Sequence, residues 1–409
     1  MVNNSWKSVT LSQIGTFQKG SGISRAESNS GMLPAVRYGE LYTVHNNYVR
    51  TYTSHISREV ANKALRVHYG DVLFACSGET KEDIAKCAAI IDNSEVYAGG
   101  DIIVLSPTTE VDPIFLGFIL NTQNVIQQRA QKAQGDAIVH ISTDSIKSIE
   151  ITLPEYEEQV RIAEALSDID TLIINLEKLI AKKKAIKQGA MQELLTGKRR
   201  LPGFDGEWVN RTIKESCSRV GVGLATSVTQ YYRTSGTVIF RNLNIKPNYL
   251  DDSDILYLDT DFAMSNPSKI IHTGDVLTVH TGYVGISCVV PPKYDGALTF
   301  TTLISTTKPD VLVPEYLAYH LNSDLGHAEI ENLQAGGGRN NLNVADFVQC
   351  SMVLPVDINE QKAIVSILID MDREISECEL NLEKYNYIKQ GMMSELLTGR
   401  IRLIDKEDV

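Results

Sequence analysis

The 409-residue sequence predicts an α+β chain built as a pseudo-two-fold internal repeat, with two small mixed domains separated by two long helices. Three observations carry this. Residues 186–197 read I-K-Q-G-A-M-Q-E-L-L-T-G and residues 388–399 read I-K-Q-G-M-M-S-E-L-L-T-G, ten of twelve positions identical at an offset of 202. The segments that end in these motifs have helical periodicity and lack proline after their first turn. The stretches before them have short apolar runs punctuated by Gly-rich turns, the pattern of short strands. A fixed-offset repeat dictates architecture, so it takes precedence over local propensity.

The ungapped match extends from 158–201 onto 360–403, with close to half of the positions identical. Fainter echoes fill the rest. Trp6 and Thr10 return as Trp208 and Thr212, Gly70-Asp-Val-Leu73 as Gly274-Asp-Val-Leu277, and Leu153-Pro154 as Leu354-Pro355. The expected organisation is a first domain over 1–153, a first helical segment over 154–201, a second domain over 202–354 and a second helical segment over 355–409. Strands are expected at 72–75, 102–105, 276–279, 286–290 and 298–302. Helices are expected at 113–131 and 314–332, each opening with a proline whose missing N–H costs nothing in the first turn.

The helical segments carry a heptad seam: Ile162, Leu166, Ile169, Ile173, Leu176 and Ile180 in the first copy, and Ile364, Leu368, Met371, Ile375, Cys378, Leu382 and Tyr385 in the second. Gly189 and Gly391 fall inside the pattern at some cost in propensity, while Gly197 and Gly399 stand where C-capping glycines belong. A helix of about 40 residues is about 60 Å long, and one apolar seam on it wants a partner. The simplest partner is the other copy. An antiparallel pair suits two copies separated by a globular domain, although periodicity alone leaves the direction open.

Composition excludes several classes. Apolar residues make up 43%, enough for sizeable cores, and 22% charged residues with 12 prolines excludes a disordered or Pro-rich chain. No apolar run approaches the roughly 20 residues of a membrane span, and no secretory signal is expected. The six cysteines form no C-x-x-C pair and suit a reducing cytoplasm. With 39 Lys+Arg against 51 Asp+Glu the net charge is −12, which leaves room only for a local basic face.

No catalytic motif stands out. A P-loop is absent, as are H-E-x-x-H and G-x-S-x-G. Val290-Pro-Pro-Lys-Tyr294 lacks the acidic or amide residue that a base-amino methyltransferase would place before the prolines. Glu79-Thr-Lys81 resembles a nuclease string only superficially. No metal site is expected. The better candidates are polar loops able to meet phosphates or base edges: Lys19, Arg25, Arg37 and Tyr38; Ser77, Gly78 and Lys81 after a strand; their counterparts His280, Thr281, Gly282 and Tyr283; and Arg339 with Asn340 beside three glycines. An ordinary turn is the plain alternative for each. Residues 178–200 hold eight Lys/Arg against one acid, Glu193, a run that could follow a DNA backbone or be a solvated helix face. Apolar packing does not account for the repetition of Lys187, Gln188, Glu193 and Thr196 as Lys389, Gln390, Glu395 and Thr398. Two equivalent protein-docking sites would.

This plan resembles the specificity (S) subunits of type I restriction-modification systems. The resemblance rests on the Trp6 and Trp208 starts, the two Gly-Asp-Val-Leu segments, the Leu-Pro steps, Glu158-Gln159 and Glu360-Gln361, and the duplicated Lys-Gln-Gly…Glu-Leu-Leu-Thr-Gly tails. It implies that each variable region is a target recognition domain reading half of a bipartite sequence in double-stranded DNA. It also implies that the long helices form an antiparallel coiled coil spanning the nonspecific spacer. Two methylation (M) subunits would dock on this frame and use S-adenosylmethionine to methylate adenine N6. Motor-nuclease (R) subunits, with ATP and Mg2+, would add restriction. The chain itself would bind no cofactor and catalyse nothing. The competing expectation is a scaffold that recruits two identical partners without reading DNA.

Overall fold

The computed structural model describes residues 6–135, 138–335 and 341–404. The chain forms two compact units, and the division cuts both long helices. One unit comprises residues 1–177 and 381–409, the other residues 178–380. Each unit therefore contains one mixed domain, the first half of one long helix and the second half of the other.

In the first unit, strand Lys7–Thr10 pairs antiparallel with Glu150–Leu153 and so closes the domain at the foot of its helix. A five-stranded sheet runs in the order Gly15–Lys19, Ile102–Pro107, Val72–Ala75, Cys87–Ile90, Asn47–Val49, and a four-stranded sheet in the order Ser54–Ile56, Leu33–Val36, Val96–Ala98, Leu65–Val67. The second unit repeats the plan. Trp208–Thr212 pairs with Ser351–Pro355, and one four-stranded sheet runs Cys217–Val222, Thr302–Thr307, Val276–Val279, Ser287–Val289. A second runs Tyr232–Arg233, Leu256–Leu258, Thr237–Phe240, Leu298–Thr299.

The expected strand over 298–302 ends at Thr299 because Thr301 adopts a left-handed conformation (φ 49°), and a new strand starts at Thr302. The expected helix over 113–131 is two helices, Pro113–Leu120 and Gln123–Lys132. That over 314–332 is likewise two, Pro314–Leu321 and Asp324–Ala335. The break has the same cause in both units. Asn121 turns back to bond the Cys87 carbonyl (2.9 Å) and Asn47 (3.3 Å), and Asn322 bonds the Ser287 carbonyl and Asn248 (both 2.8 Å). A side chain tied to the sheet in this way ends one helix and starts the next.

The long helices are continuous over Tyr156–Leu194 and Ile358–Leu396, through Gly189 and Gly391. In the first unit Ile162, Ala163 and Leu166 share a core with Leu396 and Leu397, and in the second Ile364, Val365 and Leu368 share one with Met191, Leu194 and Leu195. The start of one helix thus packs on the end of the other, which makes the pairing antiparallel within each unit. Each fully buried Leu or Ile contributes about 1.5–3 kcal/mol. Gly197 (φ 68°) and Gly399 (φ 67°) end the helices in the left-handed region, as expected of C-caps. A Cβ at Gly197 would lie 3.1 Å from the Trp208 ring, and one at Gly399 3.2 Å from the Trp6 ring. The repeated tryptophans and glycines are therefore two halves of one contact.

Candidate nucleic-acid interface

In the first unit, four loops meet at one end of the sheets. Gly20 N–H donates to the Ile102 carbonyl (2.8 Å), Gly100 N–H to Gly22 (3.0 Å), Gly99 N–H to Val36 (2.9 Å) and Cys76 N–H to Asp101 (2.9 Å). These bonds bring the expected residues Lys19, Arg37 and Ser77 to a common edge, with Arg25 two residues beyond Ile23, which packs on Gly99. Lys19, Arg25 and Tyr38 are exposed there, Arg37 is half-buried, and Lys81 is exposed on the loop that follows Ser77. Glycine is required where the strands close: a Cβ on Gly20 would fall 2.1 Å from the Gly99 carbonyl oxygen.

Ser77 plays a different part from its neighbours. It is buried, its hydroxyl bonds His140 Nδ1 (3.0 Å), and its carbonyl accepts from the Tyr42 hydroxyl (2.9 Å). Gly78 pairs with Val139 in a two-stranded ladder, and a Cβ there would meet Tyr42 at 2.8 Å. Ser77 and Gly78 hold the loop, and Lys81 is carried on its exposed part. Glu79, Glu82 and Asp83 are exposed on the same loop, so this edge is of mixed charge.

The second unit builds the same edge from different residues. Thr302 Oγ1 bonds Asn242 Oδ1 (3.0 Å), and Leu342 N–H donates to the His280 carbonyl (2.9 Å). Thr281 and Gly282 are exposed, and Tyr283 projects with 85% of its surface accessible from the turn set by Gly282 (φ 85°). His280 is half-buried, and burial holds its pKa below the usual histidine value, so at neutral pH it offers a neutral ring. Arg339 and Asn340 lie outside the described residues, and Asn341 next to them bridges to Thr281.

One residue is not singled out by the sequence reading. Arg241 follows strand Thr237–Phe240 as Arg37 follows Leu33–Val36. Both cap the next turn through their own N–H, Arg37 onto Glu40 Oε2 (3.0 Å) and Arg241 onto Asn244 Oδ1 (2.9 Å). The shared strand-Arg-x-x-Glu/Asn spacing is the available signal. The Arg241 guanidinium is paired with Asp254 (2.7 Å).

The repeated polar residues of the helix tails also have internal partners. Lys187 pairs with Asp372 over the ring of Tyr319, and Lys389 pairs with Asp170 (2.5 Å) over the ring of Phe118. Thr196 and Thr398 each bond the carbonyl four residues back (2.6 Å). Glu193 pairs with Arg199 (3.6 Å) and Glu395 with Arg400 (2.9 Å). Gln188 bonds Asp324 (3.0 Å), and Gln390 is exposed. Five cations of the basic run are matched to acids: Lys183 to Glu374, Lys184 to Glu379, Lys187 to Asp372, Arg199 to Glu193 and Arg200 to Glu360. That run is largely neutralised, which weakens its reading as a DNA-following face. Among the described residues, no group of three or more His, Cys, Asp or Glu could hold a metal ion, and no helix is long and apolar enough to cross a membrane.

Residues 3–188 match the type I restriction modification DNA specificity domain model. The type I restriction enzyme MjaVIII specificity subunit of Methanocaldococcus jannaschii is 22% identical over 359 residues, 84% of this chain and 82% of that one. A specificity subunit assigned to the MjaX enzyme of the same organism is 25% identical over 353 residues, 83% and 80% of the two chains. Residues 3–188 thus match this specificity domain, and most of the chain is similar to these specificity subunits. The fold is also that of a crystallised type I restriction-modification S subunit from M. genitalium, with a TM-score of 0.63, 12% identity and 96% of each chain covered.

The specificity-domain match covers the first recognition domain and most of the first long helix. The second domain is related to the first through the repeat, and the similarity to the two relatives extends over most of the chain. Between the two units, the converging loops are the part that differs, and the helix ends with their Trp–Gly contacts are the part that recurs.

Proposed function

We propose that this chain is the DNA-specificity subunit of a type I restriction-modification system. Each recognition domain reads one half of a bipartite duplex target with the loop edge around Lys19, Arg25, Arg37, Tyr38 and Lys81, or around Thr281, Gly282 and Tyr283. The observation that carries the reading is that two domains of one plan, each with its own loop edge, are mounted on repeated, antiparallel helix pairs. Two reading heads of one plan suit a target of two half-sites, since an internal repeat in the protein is mirrored by site geometry. Glycines let backbone approach phosphates, cations bind them, and an exposed tyrosine offers a face for stacking.

The chain catalyses no step. Two M subunits supply S-adenosylmethionine and methylate adenine N6, reached by base flipping. R subunits supply ATP- and Mg2+-dependent restriction. The M subunits dock near the helix tails, where Gln390, Glu193 and Gln188 face solvent. The acidic net charge fits a subunit that binds DNA weakly alone and firmly in the complex.

The test is methylation sequencing of DNA from a methylation-free host carrying this gene with and without its neighbouring M gene. N6-methyladenine at a single bipartite motif, only with both genes, is the expected result. A stable two-protein complex that marks no motif would favour a scaffold that does not read DNA.

A further inference from the structure

Each unit contains an aspartate on a long helix that receives two donors, and the donors come from different parts of the unit. In the first unit Asp170, 7% exposed on the first long helix, takes Lys389 from the second helix (2.5 Å) and Arg50 from the recognition domain (2.9 Å). Arg50 lies over the Tyr48 ring at 4.5 Å, and Tyr48 packs edge-on against Phe118. In the second unit the matching aspartate, Asp372, is half-buried and takes Lys187 from the first helix and the Tyr319 hydroxyl (2.6 Å) from the recognition domain.

The lysine donors are equivalent, and the domain donors are not. Tyr319 occupies the position of Phe118 on the matching short helix, Pro314–Leu321 against Pro113–Leu120. Phe118 has no hydroxyl, and in that unit Arg50 provides the missing donor. In the second unit Asp251 stands in place of Arg50, three residues after Asn248 as Arg50 is three after Asn47. Where the aromatic carries a donor the arginine is absent, and where the arginine is present the aromatic carries none. Drift in the domains has thus left the number of donors at the aspartate unchanged. A contact that only filled volume would not need that compensation.

We propose that Arg50 and Tyr319 are positioning residues that fix the angle of each recognition domain on its own helix pair. The inference rests on the DNA-specificity reading above. A short charge-assisted bond to a carboxylate is directional, so it restrains rotation as well as separation. A domain without it keeps its reading loops but swivels on its helices. It then accepts a half-site displaced by one base pair.

The experiment uses the full chain with its M subunit in a methylation-free host. It reads methylation at the native target and at targets whose spacer is one base pair longer or shorter. Arg50→Ala and Tyr319→Phe should each raise the displaced-to-native ratio by roughly tenfold, the scale of one charge-assisted bond. Phe118→Tyr added to Arg50→Ala should restore the wild-type ratio, because the new hydroxyl takes the place that Tyr319 holds beside Asp372. Simple destabilisation lowers methylation at all targets together and leaves the ratio constant. A constant ratio, or a double variant no better than Arg50→Ala, overturns the proposal. A wild-type complex that forms but marks no bipartite site overturns the DNA reading, and this inference falls with it.

Discussion

The helix ends of the two units are chemical copies, whereas the short helices packed on their sheets are not. At the helix starts, Glu158 takes a two-pronged bond from Arg402 (both 2.6 Å) and Glu360 takes one from Arg200 (2.7 and 2.9 Å). Gln159 bonds the Asp112 N–H and the Pro154 carbonyl, and Gln361 the Val313 N–H and the Pro355 carbonyl. On the short helices, by contrast, Phe115, Phe118, Ile119 and Arg129 correspond to Tyr316, Tyr319, His320 and Ile330. Arg129 and Ile330 are equally buried, at 2% exposed. Arg129 is tolerated because it donates to the Ala85 carbonyl (2.6 Å) and Asn121 (3.4 Å), and burial lowers its pKa. Glu158 and Glu360 must each satisfy an arginine from the other copy, so a change on one side is punished at once. An interior residue such as Arg129 or Ile330 has only to fill volume and satisfy its own neighbours, so it can drift.

The comparison can be broken or sharpened by experiment. The largest effect is expected at the two-pronged pairs. Arg402→Ala or Arg200→Ala leaves a glutamate almost wholly buried without its partner, at a cost of about 3–4 kcal/mol. Denaturant melts should show the two losses equal within about 1 kcal/mol. A large inequality would break the claim that the frames are equivalent.

Next comes acid sensitivity, which should belong to the second unit at this position. Burial holds the His320 pKa down to about 4, against 6.5 for the free side chain. The unfolded chain then binds a proton that the folded one refuses between those values. The stability contribution is intact above pH 6.5 and is lost as pH falls toward 4. The loss is about 3 kcal/mol at most. His320→Ile, which copies Ile119, should flatten the melting-temperature profile over that window, and an unchanged slope would assign the acid response elsewhere.

A smaller effect is expected at the caps. Gly197→Ala and Gly399→Ala place a Cβ against a tryptophan ring at a left-handed residue, costing about 1–2 kcal/mol each. Thermal melts of the two variants should again agree. The smallest effect concerns DNA alone. Tyr283→Ala removes an exposed ring and should leave stability unchanged, while it weakens target binding by the whole complex by about 1 kcal/mol. Fluorescence anisotropy with native duplex measures it, and unchanged affinity would remove Tyr283 from the interface.

Much of this architecture is legible in the residues. The heptad seam is confirmed by the burial of Ile162, Leu166, Ile364 and Leu368, and the two capping glycines by their φ values. The Ser77 loop and the His280 loop correspond by their place after matching strands, Val72–Ala75 and Val276–Val279. The roles within those loops are less legible. Sequence groups Ser77 with Lys81 as a contact, yet the Ser77 hydroxyl is committed to His140. Nothing local announces a hydrogen bond across 63 residues. The helix break at Asn121 is hidden for the same reason, because its partner Asn47 lies 74 residues away.

The repeat by itself determined that the chain has two domains of one plan and two seamed helices, since periodicity and identity at a fixed offset are properties of the linear chain. Tertiary structure decided three things: that the helices pair antiparallel, that Lys187 and Lys389 have Asp372 and Asp170 as partners, and that Lys19, Arg37 and Ser77 share an edge. The physical reason is common to all three. A seam states only that a helix needs a partner, and a charge states only that it needs a counter-charge. Which partner meets it depends on contacts between segments far apart in sequence, which form only when the whole unit packs.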